Sequence, residues 1–442
     1  MAPKHRVRRR AFLGTVGAAF VGLAGCSDDS GPSETETRTG SVTSTPTSTP
    51  ENTATPTPDG TPTETQTPAP QQPPAWMASE GEQYTDFADL EENWQVQSGE
   101  VALVDNEGFL GGPAVRMTTG DGGVARMERR YYQPIDFSGR EFSIAVKLEA
   151  TEASATETMI RVQDINGRSA EYTDIVPSEA AGEWLRVDAG ASSPDPVDLS
   201  QVTRIRVQHY GLGDNASRCL VSDLRTHPGA EKGTVVFAFE GDHENSFSLA
   251  YPVLNEAGYA AGVFLAPDNL GGSSTPTSDD YQTMQSDGWD VGPLTLGRQR
   301  LTSLGGEERQ AVEGAVSQLN DQGFDGATNV FRPPRGSYTA ETLGYADDLF
   351  DLTFVGVGGS LGSNTSLSDT RTVLSVDADD LSLATDCVEA AAEHRQVAML
   401  VFTTRHLTDR AAFSSLVDRV SELESSGDVD VVTPTELASR YD

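Results

Sequence analysis

The sequence predicts a multidomain chain: an N-terminal all-β sandwich over residues 76–228, then an α/β barrel over 229–442. Three observations predict it. At 442 residues the chain exceeds one ordinary domain. The first region alternates with period two and has almost no helical spacing. Beyond residue 229, β-rich runs alternate with helical ones, the pattern of a parallel sheet wound into a (β/α) barrel.

The chain opens on an export signal, residues 1–26. Lys4, Arg6 and Arg8–Arg10 make it basic, and Ala11–Ala24 is small, apolar and short for a bilayer span. Arg9-Arg10-Ala11-Phe12-Leu13 resembles a twin-arginine signal, and Leu23-Ala24-Gly25-Cys26 a lipobox in which Cys26 carries the lipid. This implies export, with a lipid anchor on the outer face of the cytoplasmic membrane as the only membrane contact. Residues 27–75 are mostly Thr, Pro and Ser, with no aromatic residue. Such a segment cannot bury enough apolar surface to order, and is expected to be an extended stalk.

Lys+Arg is 31 against Asp+Glu 67, a net charge of −36. That charge repels nucleic acid, so a nucleic-acid partner is excluded. Lys4, Lys147 and Lys232 are the only lysines, an acid-rich, lysine-poor balance expected of a salt-loving microbe. Cys26, Cys219 and Cys387 are too few for a disulfide framework or a cysteine zinc site, and six histidines leave little for a histidine site.

In the sandwich region, Phe142–Val146, Met159–Val162 and Ile205–Val207 are strand-like, with Gly, Asn and Asp between such runs. The layout of Ile135–Gly139, Glu183–Val187, Asp198–Ser200 and Val221–Leu224 resembles jelly-roll carbohydrate-binding modules. Tyr131, Tyr132, Tyr172, Trp184 and Tyr210 are candidates for stacking on sugar rings, or else strand and core residues. Asn215-Ala216-Ser217 and Asn364-Thr365-Ser366 fit the N-glycosylation pattern.

In the barrel region, strands are expected at Thr234–Phe239, Gly262–Ala266, Asn329–Arg332, Thr353–Val357, Thr372–Val376, Val397–Thr403 and Val429–Val432. Helices are expected at Ser246–Ala257, Glu307–Asn320, Ala340–Phe350, Leu381–His394 and Asp409–Ser425. Barrel chemistry sits at the C-terminal ends of strands, which points to residues after Phe239, near Asp290, after Phe331 and after Phe402.

Those places resemble the polysaccharide deacetylase family. Val235–Asp242, with Ala250-Tyr251-Pro252-Val253-Leu254 behind it, resembles its opening strand and Thr-Phe-Asp-Asp-Gly motif. Gly288-Trp289-Asp290-Val291-Gly292 resembles its Gly-His-Glu-Ile-Gly segment, and Phe331–Tyr338 its Phe-Arg-Pro-Pro-Tyr-Gly-x-Tyr segment. Val431–Leu437 resembles its closing strand and helix. The resemblance implies a distorted (β/α) barrel acting on a polysaccharide or other glycan. Its reaction removes acetyl groups with a divalent metal, a carboxylate base, a general-acid His and an oxyanion donor.

Carried over residue by residue, the base position is Glu240. The metal Asp falls on Gly241, and the two metal His on Leu294 and Arg298; the late His falls near Thr403. Arg332 matches the residue that orients the base, and Arg335 the position whose N–H supports the oxyanion. Leu cannot coordinate, and a permanent cation repels one. No metal or other cofactor is therefore expected at the family's position. Three readings follow: a conventional deacetylase; an enzyme whose site has moved to Asp242, His243 and His406, where a zinc-like divalent metal could bind; or a catalytically silent barrel. The silent barrel binds glycan, or serves only as an envelope interaction scaffold. In that reading Arg298, Arg300, Arg335 and Arg405, with Tyr338 and Asp290, line a mouth suited to carboxylated or sulfated sugars, and Glu240 pairs with Arg332 or Arg298.

Overall fold

The computed structural model describes residues 72–120, 122–193, 196–241, 243–356 and 361–441. The export signal, Cys26, almost all of the Thr/Pro/Ser-rich segment and Asp242 lie outside them. No helix of the described residues is long and apolar enough to cross a membrane.

Among the described residues, the chain before Gly233 forms β1 (Glu82–Thr85), β2 (Gln95–Ser98), β3 (Glu100–Val104), β4 (Ala114–Thr118), β5 (Val124–Ile135), β6 (Arg140–Thr151), β7 (Ala155–Asp164), β8 (Ser169–Pro177), β9 (Trp184–Val187), β10 (Ala191–Ser192), β11 (Val202–Gly211) and β12 (Ser217–Pro228). They pair antiparallel in two sheets. One runs β3-β4-β12-β6-β9 with β1 beside β12; the other runs β10-β8-β7-β11-β5-β2. Alternation sets the faces. Phe142, Ile144 and Val146 of β6 meet Ile160 and Val162 of β7 and Ile205 and Val207 of β11 in one core. The intervening Arg161, Arg204 and Arg206 point away from it.

Of the aromatic candidates, Tyr172 is a core residue and cannot stack on a sugar. Trp184 packs edge-on against Phe109. The Tyr131 hydroxyl meets that of Tyr84. Tyr132 is exposed, and Tyr210 lies beside Gln208. Asn364 is buried, its amide donating to the Phe142 carbonyl (2.9 Å) and Asp188 (2.8 Å), so its sequon is closed to glycosylation in the folded chain.

The second half supplies β13 (Gly233–Glu240), β14 (Gly262–Leu265), β15 (Asp290–Pro293), β16 (Val330–Phe331), β17 (Leu352–Gly356), β18 (Val373–Asp377), β19 (Val397–Thr403) and β20 (Val429–Val431). All pair parallel, in the order β15-β14-β13-β19-β18-β17-β16. This is chain order around a nearly closed barrel, with the gap between β15 and β16. On one edge of β13, β20 pairs with residues 233–235 and β14 with residues 238–240.

Strand β13 is apolar on both faces because both are covered. Val235, Phe237 and Phe239 pack outward against Leu254, Val388 and Phe413 of the surrounding helices. Val236 and Ala238 point inward with Phe264, Phe354 and Met399. The helix over Leu381–His394 and strand over Val397–Thr403 fall on their expected bounds. The helix expected over Ser246–Ala257 instead opens as a π-helical turn, Ser246–Ala250, before α-helix Tyr251–Ala257. Pro252 has no N–H to give the preceding turn, and Gly258 ends the helix at φ 82°. A helix over Ser278–Ser286 was not foreseen, although Thr277 and Asp280 form its capping box.

The two halves meet through buried polar groups. Arg186, wholly buried, bonds Asp223 (2.8 Å) and Ser143, while its backbone N–H donates to Asp369 (3.1 Å). Asp369 pairs with Arg371 (3.0 Å), whose guanidinium lies 3.6 Å from the Trp76 ring centroid. Asp188 accepts from Asn364 and the Ser368 N–H. Burial pushes Asp174 up to about 8 and Asp188 up to about 7.

Candidate functional site

The inward parity of Val236 and Ala238 continues to Glu240, the last residue of β13, which is 3% exposed. Three other strands aim inward at the same end. Arg332 follows β16, whose Val330 is in the interior core, and Ser375 and Asp377 continue from Val373 of β18. Thr403 does the same from Val401 of β19.

A buried carboxylate needs opposite charge and donors. Glu240 has both. Arg298 reaches one oxygen at 3.3 Å. The other oxygen faces the Arg332 guanidinium at 3.3 Å and accepts the Arg335 backbone N–H at 3.0 Å. Glu240 thus meets both arginines that the sequence offered as partners. Arg332 is held in turn by the Phe354 carbonyl (2.9 Å) and Ser375 hydroxyl (2.7 Å). Burial pulls Arg332 below its ordinary range, and the Glu240 charge opposes that.

Two turns deliver the arginines. Gly297 (φ 59°) and Arg298 (φ 54°) are left-handed, and Asp268 fixes the turn by accepting the Gly297 N–H at 2.9 Å. Arg335 is left-handed too (φ 58°), which aims its N–H at Glu240. Gly336 follows at φ 64°. A Cβ there would lie 1.9 Å from the Gly356 nitrogen, so the turn requires glycine.

Arg300 stands near Arg335. Burial, then the like charge of Arg335, lowers its pKa. Neither side chain has an acidic partner within ion-pair distance among the described residues. Asp377 is raised by burial first, then by the negative charge of Asp379.

Other expected residues sit elsewhere. Asp290 is the first residue of β15, at the opposite end from Glu240. Its carboxylate accepts from the Thr435 N–H (2.8 Å) and hydroxyl (2.7 Å), tying down the closing helix. Tyr338 is buried among Leu148, Val176 and Leu185 of the sandwich, so it is a packing residue and not a ligand contact. His243 accepts the Asn245 N–H (3.3 Å), and His406 turns to Asp379 (2.7 Å) with its ring largely in solvent. Arg405 is exposed without an ion pair among the described residues. The sequence reading missed Ser375, Asp377 and Asp379; inward parity from Val373 was the available signal for the first two.

The family's metal does not fit these residues. Gly241 offers no ligand, and a Cβ there would lie 2.1 Å from a Val263 methyl. Leu294 is wholly buried in the interior core. Arg298 is a cation and pairs with Glu240. Among the described residues no three His, Cys, Asp or Glu side chains could jointly hold a metal ion.

Residues 227–350 match the polysaccharide deacetylase family. They carry Glu240, Gly241, Leu294, Arg298, Arg332 and Arg335. The Bacillus subtilis protein YxkH, described as a polysaccharide deacetylase, is 26% identical over 113 residues; the match covers 26% of this chain and 40% of that protein. Among solved structures, the CE4 domain of a xylanase from the Trinervitermes trinervoides hindgut metagenome is 13% identical with a TM-score of 0.34, covering 48% of this chain and 91% of its own. A mutant CE4 family pseudoenzyme with restored activity is 16% identical with a TM-score of 0.34, covering 47% and 68%. A family 11 carbohydrate-binding module from Clostridium thermocellum is 17% identical with a TM-score of 0.26, covering 34% and 95%.

Proposed function

We propose that the barrel is a glycan-binding domain of the polysaccharide deacetylase type that no longer hydrolyses acetyl groups. The carrying observation is Arg298, which stands at a family metal-ligand position and pairs with Glu240. Both oxygens of Glu240 are engaged by guanidinium groups and a backbone N–H, and residues 241, 294 and 298 offer no metal ligand to help polarise a carbonyl. Arg300 and Arg335, without acidic partners among the described residues, favour ligands bearing carboxylate or sulfate groups. The sequence of residues 1–75 supports export and a lipid-anchored stalk holding this domain off the membrane of a salt-loving microbe.

The full chain, purified in molar salt with divalent metals present, is expected to hold no stoichiometric metal on elemental analysis. It is also expected to release no acetate from acetylated chitooligosaccharides. One tightly bound ion per chain with acetate release would overturn this reading and bring Asp242, His243 and His406 forward as a relocated site. Short oligogalacturonate is expected to bind, and R300A/R335A to weaken it roughly tenfold, about the worth of one charged hydrogen bond.

A further inference from the structure

The outward face of the β10-β8-β7-β11-β5-β2 sheet is rich in arginine. Register places Arg204 of β11 opposite Arg130 of β5, Arg206 between Glu128 and Arg161, and Gln208 opposite Arg126. Glu171 of β8 pairs with Arg161. Residues two apart on a strand stand about 6.7 Å apart and neighbouring strands about 4.8 Å, so these guanidinium groups form a two-dimensional array.

At its centre, Glu128 is wholly buried although it points away from the sandwich core. Burial alone would raise its carboxyl. Hydrogen bonds from Arg206 (2.7 Å) and Arg130, with the charge of Arg204 (3.9 Å), outweigh burial and hold it below the usual range. One carboxylate thus organises three arginines. Among the described residues Arg126 has no acidic partner and bonds only Gln208 (2.5 Å) and Tyr210 (3.5 Å). Among the described residues the ion pairs of the five arginines stay on this face. Arginines outnumber the face's glutamates, Glu128, Glu157 and Glu171, in a chain of net charge −36.

We propose that this face binds an acidic polysaccharide, its carboxylate or sulfate groups engaged by Arg126, Arg204 and the outer N–H groups of Arg130 and Arg161. Planar guanidinium groups on a rigid sheet present paired donors to planar carboxylates and to sulfates. A polymer with recurring acidic groups engages several at once. The choice of polysaccharide over another polyanion rests on the glycan-binding reading of the barrel in the same chain.

The test is titration of the full chain with polygalacturonate at about 0.1 M salt, where screening reaches only about 10 Å. R126Q/R204Q is expected to weaken binding at least roughly tenfold, the worth of one charged hydrogen bond, and the neutral polymer pullulan not to bind. R300A/R335A reports separately on the barrel mouth. If R126Q/R204Q binds like the parent chain, the proposal falls, whatever R300A/R335A does; if only R126Q/R204Q weakens polymer binding, the proposal stands and the mouth reading falls. Equal binding of pullulan, or tighter binding of duplex DNA than of polygalacturonate, overturns the assignment. The single variant R126Q, whose bonds among the described residues reach only Gln208 and Tyr210, serves if the double variant does not fold.

Discussion

Replacing Arg332 with methionine is expected to cost about 3–5 kcal/mol of stability, the price of leaving a buried carboxylate short of a cation. Glu240 keeps Arg298 and the Arg335 N–H, but the Phe354 carbonyl and Ser375 hydroxyl lose the donor that fills the barrel end. Denaturant unfolding reads the cost. E240Q/R332M is expected to recover part of it, because the amide carries no charge to strand. Strictly additive losses in the double variant would mean that the two side chains do not share one network.

Stability is expected to fall by about 1–2 kcal/mol between pH 6.5 and 8, since one proton contributes about 1.4 kcal/mol per pH unit. Asp174 and Asp188 are raised by burial to about 8 and about 7, above the 3.8 of the open chain. The folded state therefore holds protons that the unfolded state has released, and stability is lost as pH rises to those values. Below pH 6.5 the sign is mixed, because His209 and His227 are lowered to about 4 and about 3 and must stay neutral in the fold. Glu141, also raised by burial, acts in the same direction as the aspartates. Unfolding midpoints at pH 6.5 and 8 test the expectation. D174N is expected to flatten the slope; an unchanged slope would show that Asp174 is not among the groups that titrate.

Most of the barrel was legible because a covered parallel strand is apolar throughout and its helices carry caps and stripes. Thr234–Phe239, Leu381–His394 and Val397–Thr403 needed nothing else. Strand β15 escaped because four residues, Asp290–Pro293, are too few for a period. At the site, spacing against a family motif found Glu240, Arg298, Arg332 and Arg335. It misplaced Asp290 because the strand's direction puts its first residue at the far end. It misjudged Tyr338 because the sandwich surface that covers it is over a hundred residues away in sequence. The polar junction between the halves gave no local signal: Arg186 and Asp369 are 183 residues apart.

Gly241 carries a consequence for any attempt to build a metal site here. Without a side chain there, the Val263 methyl occupies the space a β-carbon would need, at 2.1 Å. A lone G241D mutation would meet a filled site and would still find no metal ligand at 294 or 298. Building a metal ligand here therefore starts at Val263, with a smaller residue that by itself only opens a hole.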